Sequence, residues 1–204
     1  MVPSALVLGV SSPFLKTPRL VLRPLCLQDA LPDAPYHHWF QAWHPATGLT
    51  RHGRFPYTSE QAQQYVQQTH AMMQAQEGLV LAIVLQETDT HIGNIALTHL
   101  DWIHRSGEFA IIIGSTEHQG KGYAHEASHT LLGHGFDKLG LHRVGCGTPA
   151  PHIAMQKLAL KLGFHEEGRR KEAFRMPATE TTPAHFTDVV MYGCLRLIPH
   201  ASMV

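Results

Sequence analysis

The chain has 204 residues, 16 Lys plus Arg against 16 Asp plus Glu, and a hydrophobic fraction of 44 %. That length is ample to bury a core, and the apolar fraction excludes wholesale disorder. The zero formal net charge argues against a broad basic face for nucleic acid or anionic membrane.

Residues 1–15 are fairly apolar but lack a basic leader, and the apolar run at 5–10 is short and broken by Gly9. This is neither a signal peptide nor a membrane span, and it reads as a loose N-terminal arm. Residues 19–25 (RLVLRPL) alternate as a strand with one buried face, and Pro24 ends it. Residues 27–40 read as helical but broken by Pro32 and Pro35, and residues 44–57 read as a loop. Thr58 with Gln61 forms a capping-box pattern, so a helix is expected from 59 to 77, stopped by Gly78.

Residues 79–85 are a continuous apolar run, and residues 91–102 and 108–113 follow across turns, as in an antiparallel meander. Helical spacing then runs over 122–139, with Gly140 as the expected C′ residue. A short strand at 142–148, a helix at 153–162 stopped by Gly163, and strands at 164–174 and 188–197 complete one mixed α+β domain. The domain is expected over 16–198, with a tail at 199–204.

Seventeen histidines are scattered without a run or an HExxH pattern. Cys26, Cys146 and Cys194 lie far apart, with neither a CxxC nor a disulfide framework. No metal site is expected, and a reduced cytoplasmic setting is.

The most informative segment is EFAIIIGSTEHQGKGYAHEA at 108–127. A β-branched strand runs through Gly114 into Gln119-Gly120-Lys121-Gly122-Tyr123-Ala124, where a helix begins. A helix's first turn has unpaired N–H groups and partial positive charge. Gly120 and Gly122 leave the backbone bare, and Lys121 adds charge, so the physics suits a phosphate. The dinucleotide GxGxxG is not met, because His125 stands at its last position, and no P-loop Ser or Thr follows Lys121.

Q-G-K-G-Y-A after an apolar strand resembles the acetyl-CoA pyrophosphate loop (Q/R-x-x-G-x-G/A) of the GNAT N-acetyltransferases. Gln119, Gly122 and Ala124 occupy its fixed positions. T-P-R-L-V-L-R-P at 17–24 resembles the opening strand of the RimJ/RimL-like branch, which acetylates ribosomal-protein N-termini. Gly93-Asn94-Ile95, K-L-G-L-H-R-V at 138–144 and HIAMQKLALKLGF at 152–164 resemble further motifs of that branch in order. The resemblance implies a mixed, mostly antiparallel sheet of about seven strands with helices on both faces, splayed between the fourth and fifth strands.

It further implies acetyl-CoA as cosubstrate. Pantetheine would pair with the backbone of Ile111, Ile112 and Ile113, and the diphosphate would lie on the amides of Gln119, Gly120, Lys121, Gly122, Tyr123 and Ala124. The acceptor would be a primary amine, most readily a protein or peptide N-terminus. A small-molecule amine is the alternative, and a non-catalytic acyl-CoA sensor is the alternative of another class. Homodimers occur among similar enzymes.

Direct attack on a thioester needs positioning, removal of a proton from the amine, and stabilisation of the oxyanion and thiolate. A strand amide near Ile112 or Ile113 could serve the oxyanion. At pH 7 an α-amine with pKa near ~8 costs about 1.4 kcal/mol to deprotonate, against about 4.6 kcal/mol for a lysine amine. An N-terminal acceptor therefore needs only a weak base. Glu108 is the candidate base, or else a surface carboxylate. The branch's Asn and Ser in the last motif are His152 and Met155 here, and the Tyr used by other members is Ala159. His152 is the candidate proton donor, or else a cap. Tyr36, His37, His38, Trp39 and Trp43 cluster where the family builds its acceptor pocket, and Trp39 and Trp43 are the candidate substrate-binding residues.

Overall fold

The computed structural model describes residues 12–35, 39, 58–178 and 181–196. Their strands are β1 (Leu15–Lys16), β2 (Leu20–Pro24), β3 (Leu79–Leu85), β4 (His91–Asp101), β5 (Ser106–Ile113), β6 (Arg143–Pro149), β7 (His165–Met176) and β8 (His185–Leu195). They form one sheet in the order β1-β2-β3-β4-β5-β6-β8-β7. Every neighbouring pair is antiparallel except β5 with β6. The sheet thus has one strand more than expected, because the end of the N-terminal arm is not loose. Leu15 and Lys16 pair with Leu22 and Val21, and Phe14 N–H donates to Leu22 O at 2.9 Å.

Three α-helices are described: α1 (Ser59–Gln74), α2 (Tyr123–Asp137) and α3 (Ile153–Lys161). They cover opposite faces of the sheet. Leu20, Leu22, Leu81, Ile83, Ile95 and Leu97 pack with Ala127, Leu131 and Leu132 of α2 and Ala159 of α3. Val80, Ala82 and Val84, the alternate residues of β3, pack with Ala62 and Val66 of α1. Strand periodicity therefore divides the apolar residues into two half-cores. None of the described helices is long and apolar enough to cross a membrane.

The ends of α1 show which local signals act. Thr58 and Gln61 form the reciprocal box: Gln61 N–H donates to Thr58 Oγ1 at 3.2 Å, and Thr58 N–H to Gln61 Oε1 at 3.1 Å. The helix stops earlier than expected. Gln76, at φ 58°, takes the left-handed position, with Glu77 N–H bonded to Met72 O and Gln76 N–H to Met73 O. Gly78 answers a different need, since a Cβ there would fall 2.7 Å from Met72 Sδ and 2.9 Å from Leu97 O.

Two other expectations are corrected. Residues 27–40 do not begin as an α-helix: Leu27–Ala30 is a single 3₁₀ turn, with Asp29 Oδ2 accepting Cys26 N–H at 2.8 Å. Helix α2 ends at Asp137, so Gly140 lies two residues beyond its C-cap, Lys138. The expected loop at 44–57, the tail at 199–204 and most of the arm lie outside the described residues.

Candidate active site

The parallel pairing of β5 with β6 is short. Ser106, Gly107 and Glu108 face Arg143, Val144 and Gly145, and the register stops there. On its other side β5 stays paired with β4 as far as Ile113, and β6 stays paired with β8 as far as Pro149. The two strands therefore diverge after Glu108, leaving one edge of residues 109–113 without a strand partner among the described residues. A backbone edge of this kind can receive an extended amide-bearing chain. Ile111 and Ile113 pack into the half-core under α2. Ile112 pairs with Asn94 and turns to the opposite face.

Beyond Ile113 the chain returns at the mouth of α2. Gly122 is the N-cap, at φ 85°, and Gly120 stands at φ 73°, both left-handed conformations that favour glycine. A Cβ at Gly120 would meet no protein atom within 4 Å. Gln119 spans the loop: its Nε2 donates to Ile113 O at 2.8 Å, tying the loop to the end of β5. Lys121 is exposed, and Tyr123 and Ala124 open the helix half-exposed. The first-turn amides, the bare glycines and Lys121 form a cradle that fits a diphosphate.

Arg19, immediately before β2, locks this cradle. Its guanidinium lies 4.4 Å from the Tyr123 ring centroid and donates to Lys121 O at 3.1 Å. It also pairs with Glu126 of the first turn, Nη2 to Oε2 at 2.6 Å. Thr17 and the Arg19 backbone N–H bond to the same carboxylate, at 2.5 and 2.9 Å. Burial opposes the Glu126 charge, but these donors outweigh it and hold the carboxyl below its usual range. Sequence reasoning used Arg19 only as part of a strand motif and missed Glu126.

Glu108 sits at the fork, the last residue of β5 paired with β6. Its side chain is 67 % exposed, and Oε2 lies 3.4 Å from His99 Nδ1. His99 is presented by an irregularity in β4, at φ 51°. Glu108 points to the same face as Ile112, away from α2.

His152 is placed at the opposite strand. It occupies the N-cap position of α3 just after β6 without a side-chain capping bond, and its Nδ1 lies 3.2 Å from Oγ1 of buried Thr148. Burial pushes the imidazole below the usual histidine range. Met155 packs partly buried on the half-core and Ala159 is fully buried within it, so neither offers a proton donor. Cys146, also buried on β6, has its thiol pushed up to about 12, first by burial, then by Cys194 and Glu167. That holds it as an unreactive thiol near neutral pH.

Trp39 is 7 % exposed and lies edge-on to His91, ring centroids 5.0 Å apart. It also abuts the end of β5, since a Cβ on Gly114 would fall 2.1 Å from its indole. Under it lies a buried polar cluster that sequence reasoning also missed. Arg23 grips Asp29 with two bonds at 2.7 and 2.8 Å, and His91 Nδ1 lies 3.3 Å from Asp29 Oδ1. His91 Nε2 reaches Asn94 Oδ1 at 2.8 Å. Trp43, with Tyr36, His37 and His38, lies outside the described residues.

Among the described residues no group of three or more His, Cys, Asp or Glu is arranged to hold a metal ion. A pocket of about 200 Å³ lined by Leu79, Leu100 and Trp102 lies at the other end of the sheet, away from the cradle.

Comparison with known proteins bears on the family and the fold. Residues 19–165 match the family model described as the Acetyltransferase (GNAT) domain. A Bacillus subtilis protein named the uncharacterized N-acetyltransferase YoaA is 32 % identical over 158 residues, 76 % of this chain and 85 % of its own. A spermidine N(1)-acetyltransferase of Vibrio cholerae is 39 % identical over 83 residues, 41 % of this chain and 47 % of its own. Among solved structures, the RimL ribosomal L7/L12 α-N-protein acetyltransferase in complex with coenzyme A superposes with a TM-score of 0.77. Its sequence identity is 17 %, and the match covers 90 % of this chain and 98 % of that one.

Proposed function

The chain belongs to the GNAT family of N-acetyltransferases, and from that premise we propose that it moves acetyl from acetyl-CoA to a protein or peptide N-terminal α-amine. The observation that carries the reading is the fork after Glu108, which opens towards the Gly120–Gly122 cradle. The diphosphate would lie on the amides of Gln119 to Ala124, under the guard of Arg19. The pantetheine amides would pair with the free edge of residues 109–113. The thioester would then lie deep in the fork, between the face of Glu108 and Ile112 and the face of Thr148, with exposed Glu108 at its mouth.

The amine nitrogen attacks the thioester carbonyl carbon, and a β5 amide N–H near Ile112 or Ile113 donates to the oxyanion. Collapse breaks the C–S bond and returns the electron pair to sulfur. Glu108, water-exposed at the fork, suits a first proton acceptor for an ammonium arriving from solvent. An α-amine needs no stronger help than that.

A polyamine acceptor is the second reading, favoured by the local likeness to a spermidine acetyltransferase. Charge weighs against it. Glu167 is paired with Arg143, Glu166 with Arg169, and Asp188 with Lys171, so these acids of β7 and β8 leave little uncompensated charge for a polycation.

The test mixes protein and acetyl-CoA with N-terminal peptides, polyamines and small amines, and assays free thiol. Turnover on peptides at least tenfold above that on spermidine is expected. Preference for spermidine would install the second reading. No turnover above a Gly122→Trp control on any amine would overturn both.

A further inference from the structure

His152 stands at the start of α3, four residues beyond Thr148 on the part of β6 that has left β5, and acetyl transfer has two proton requirements. One proton must leave the attacking nitrogen, and one must reach the departing sulfur. Burial alone lowers the imidazole, so near neutral pH the ring is chiefly uncharged. A resting general acid would need the other form. Thr148 Oγ1, at 3.2 Å from Nδ1, is the only side-chain hydrogen-bond partner of the ring among the described residues. Thr148 itself is 3 % exposed and lies three residues past the last β5–β6 pair. Its side chain shares the face of Val144 and Cys146, opposite to that of Glu108.

We propose that His152 is a single-residue proton shuttle, with Thr148 as its positioning residue: Nδ1–H donates to Thr148 Oγ1, while Nε2 takes the proton of the attacking amine and passes it to the leaving thiolate. The proposal rests on the reading that acetyl-CoA fills the fork. The proton balance closes within the site. A neutral amine forms the N–C bond, and the carbonyl π pair moves to oxygen. The tetrahedral nitrogen, now cationic, gives its proton to Nε2. The oxyanion re-forms the carbonyl, the C–S bond breaks, and the imidazolium protonates sulfur. A thiol near ~8.5 accepts a proton from an imidazolium below ~6.5 with an advantage of more than about 100-fold. The same burial that disqualifies His152 as a resting acid keeps the ring uncharged, and so free to take a proton first, and makes its imidazolium a strong donor afterwards.

The charged groups around it leave this behaviour to the ring. On α3, Lys157 and Lys161 are exposed. On β8, Asp188 is engaged by Lys171 and by Glu172 N–H. On α2, His125 is itself lowered, by burial first, then by Lys161 and His129. The facing part of β5, Phe109 to Ile113, carries no ionisable side chain.

The experiment measures acetyl-CoA affinity by calorimetry and the pH profile of kcat and KM with the best acceptor, for wild type, His152→Ala, His152→Asn, Thr148→Val and Thr148→Ser. His152→Ala should lower kcat by about 10²-fold with KM for acetyl-CoA within about twofold. Added imidazole should restore part of the rate to His152→Ala. His152→Asn keeps a favourable N-cap residue and a polar group beside Thr148 Oγ1 but has no titratable ring, so it preserves a merely structural role and not a shuttle. Thr148→Val should lower kcat about tenfold and move the acid limb of the profile, while Thr148→Ser keeps both near wild type.

Full activity in His152→Asn, or an unmoved acid limb in His152→Ala, would overturn the proposal while leaving the cofactor reading intact. Binding of acetyl-CoA by wild type without turnover on any amine would overturn the shuttle alone. Absence of binding would overturn the cofactor reading and the shuttle with it.

Discussion

Glu126, in the first turn of α2, receives Arg19 three times, from its backbone N–H at 2.9 Å, from Nε at 2.7 Å and from Nη2 at 2.6 Å. This joins the first long strand to the mouth of the central helix across more than a hundred residues of chain. Since the same guanidinium braces Lys121 O and the Tyr123 ring, the pair fixes the shape of the cradle. Arg19 is half exposed, so its effect on global stability is discounted by solvent to about 0.5–1 kcal/mol. Its effect on binding is larger, because a loosened loop must be ordered when the ligand arrives.

Glu126→Gln is accordingly expected to raise KM for acetyl-CoA about five- to tenfold, a loss of about 1–1.4 kcal/mol, with kcat within about twofold. Initial-rate kinetics beside a melting curve checks it. A large fall in Tm with unchanged KM would show that the pair serves the fold and not the cradle.

The two loop glycines separate backbone strain from ligand contact. A Cβ at Gly120 meets nothing within 4 Å, whereas one at Gly122 meets Arg19 Nη2 at 3.4 Å. Both positions are left-handed, so alanine at either costs about 1 kcal/mol of stability. Gly120→Ala should therefore melt much like Gly122→Ala, yet, if the proposed reading holds, lose at least tenfold in acetyl-CoA affinity by calorimetry, because its methyl meets no described protein atom and would strike the phosphate which that reading lays on the loop. Unchanged affinity in Gly120→Ala would move the diphosphate off this loop.

Asp29 is the structural counterpart of the cradle on the α1 side. Burial opposes its charge, but Arg23 and His91 outweigh that and hold the carboxyl far below the usual carboxylate range. A folded-state pKa below the unfolded one contributes stability above about pH 4, lost only as the pH falls towards the folded value. Asp29→Asn leaves the 9 %-exposed Arg23 without its counter-charge and should cost about 3 kcal/mol in urea unfolding. Its stability deficit should narrow on acidification. A deficit that stays constant down to pH 3 would mean that the pair is electrostatically idle.

The elements that sequence reasoning reached were those with a local cause. The run Leu79–Leu85 is apolar throughout because β3 is buried on both faces, and its bounds follow from Gly78 and the Glu87–Thr90 turn. Thr58 and Gln61 announced the start of α1, and Gly120 and Gly122 announced the cradle. What stayed hidden depends on register or on distant pairing. The fork exists because β5 and β6 share only three paired residues, a fact of geometry and not of composition. Arg19 and Glu126 meet only once the sheet is assembled. Thr148 and His152 are four apart, but they straddle the passage from strand to helix, where neither period of two nor of 3.6 applies. The 3₁₀ turn at Leu27–Ala30 replaced a helix because Asp29 satisfies Cys26 N–H and Arg23 together, a tertiary preference that overrides local propensity.

Acid sensitivity should begin in the histidine range, well above the carboxylates. Burial is the leading cause of lowered values at His125, His134 and His152, with Lys161 and His129 adding at His125 and Lys138 at His134. In the unfolded chain the same rings titrate near ~6.5. As pH falls through that value the unfolded state takes up protons that the folded state still refuses, so stability falls with pH. The loss starts near pH ~6.5 and continues until the folded rings protonate at their lower values. Tm should thus decline between pH 7 and 5 in dilute buffer. Replacing His134 with Gln, away from the proposed shuttle, should flatten part of that decline. Added salt should relieve only the share due to Lys161, His129 and Lys138, because screening acts on charge pairs and leaves desolvation untouched. A Tm flat from pH 7 to 5 would mean that the three rings take up protons in the fold as readily as in water.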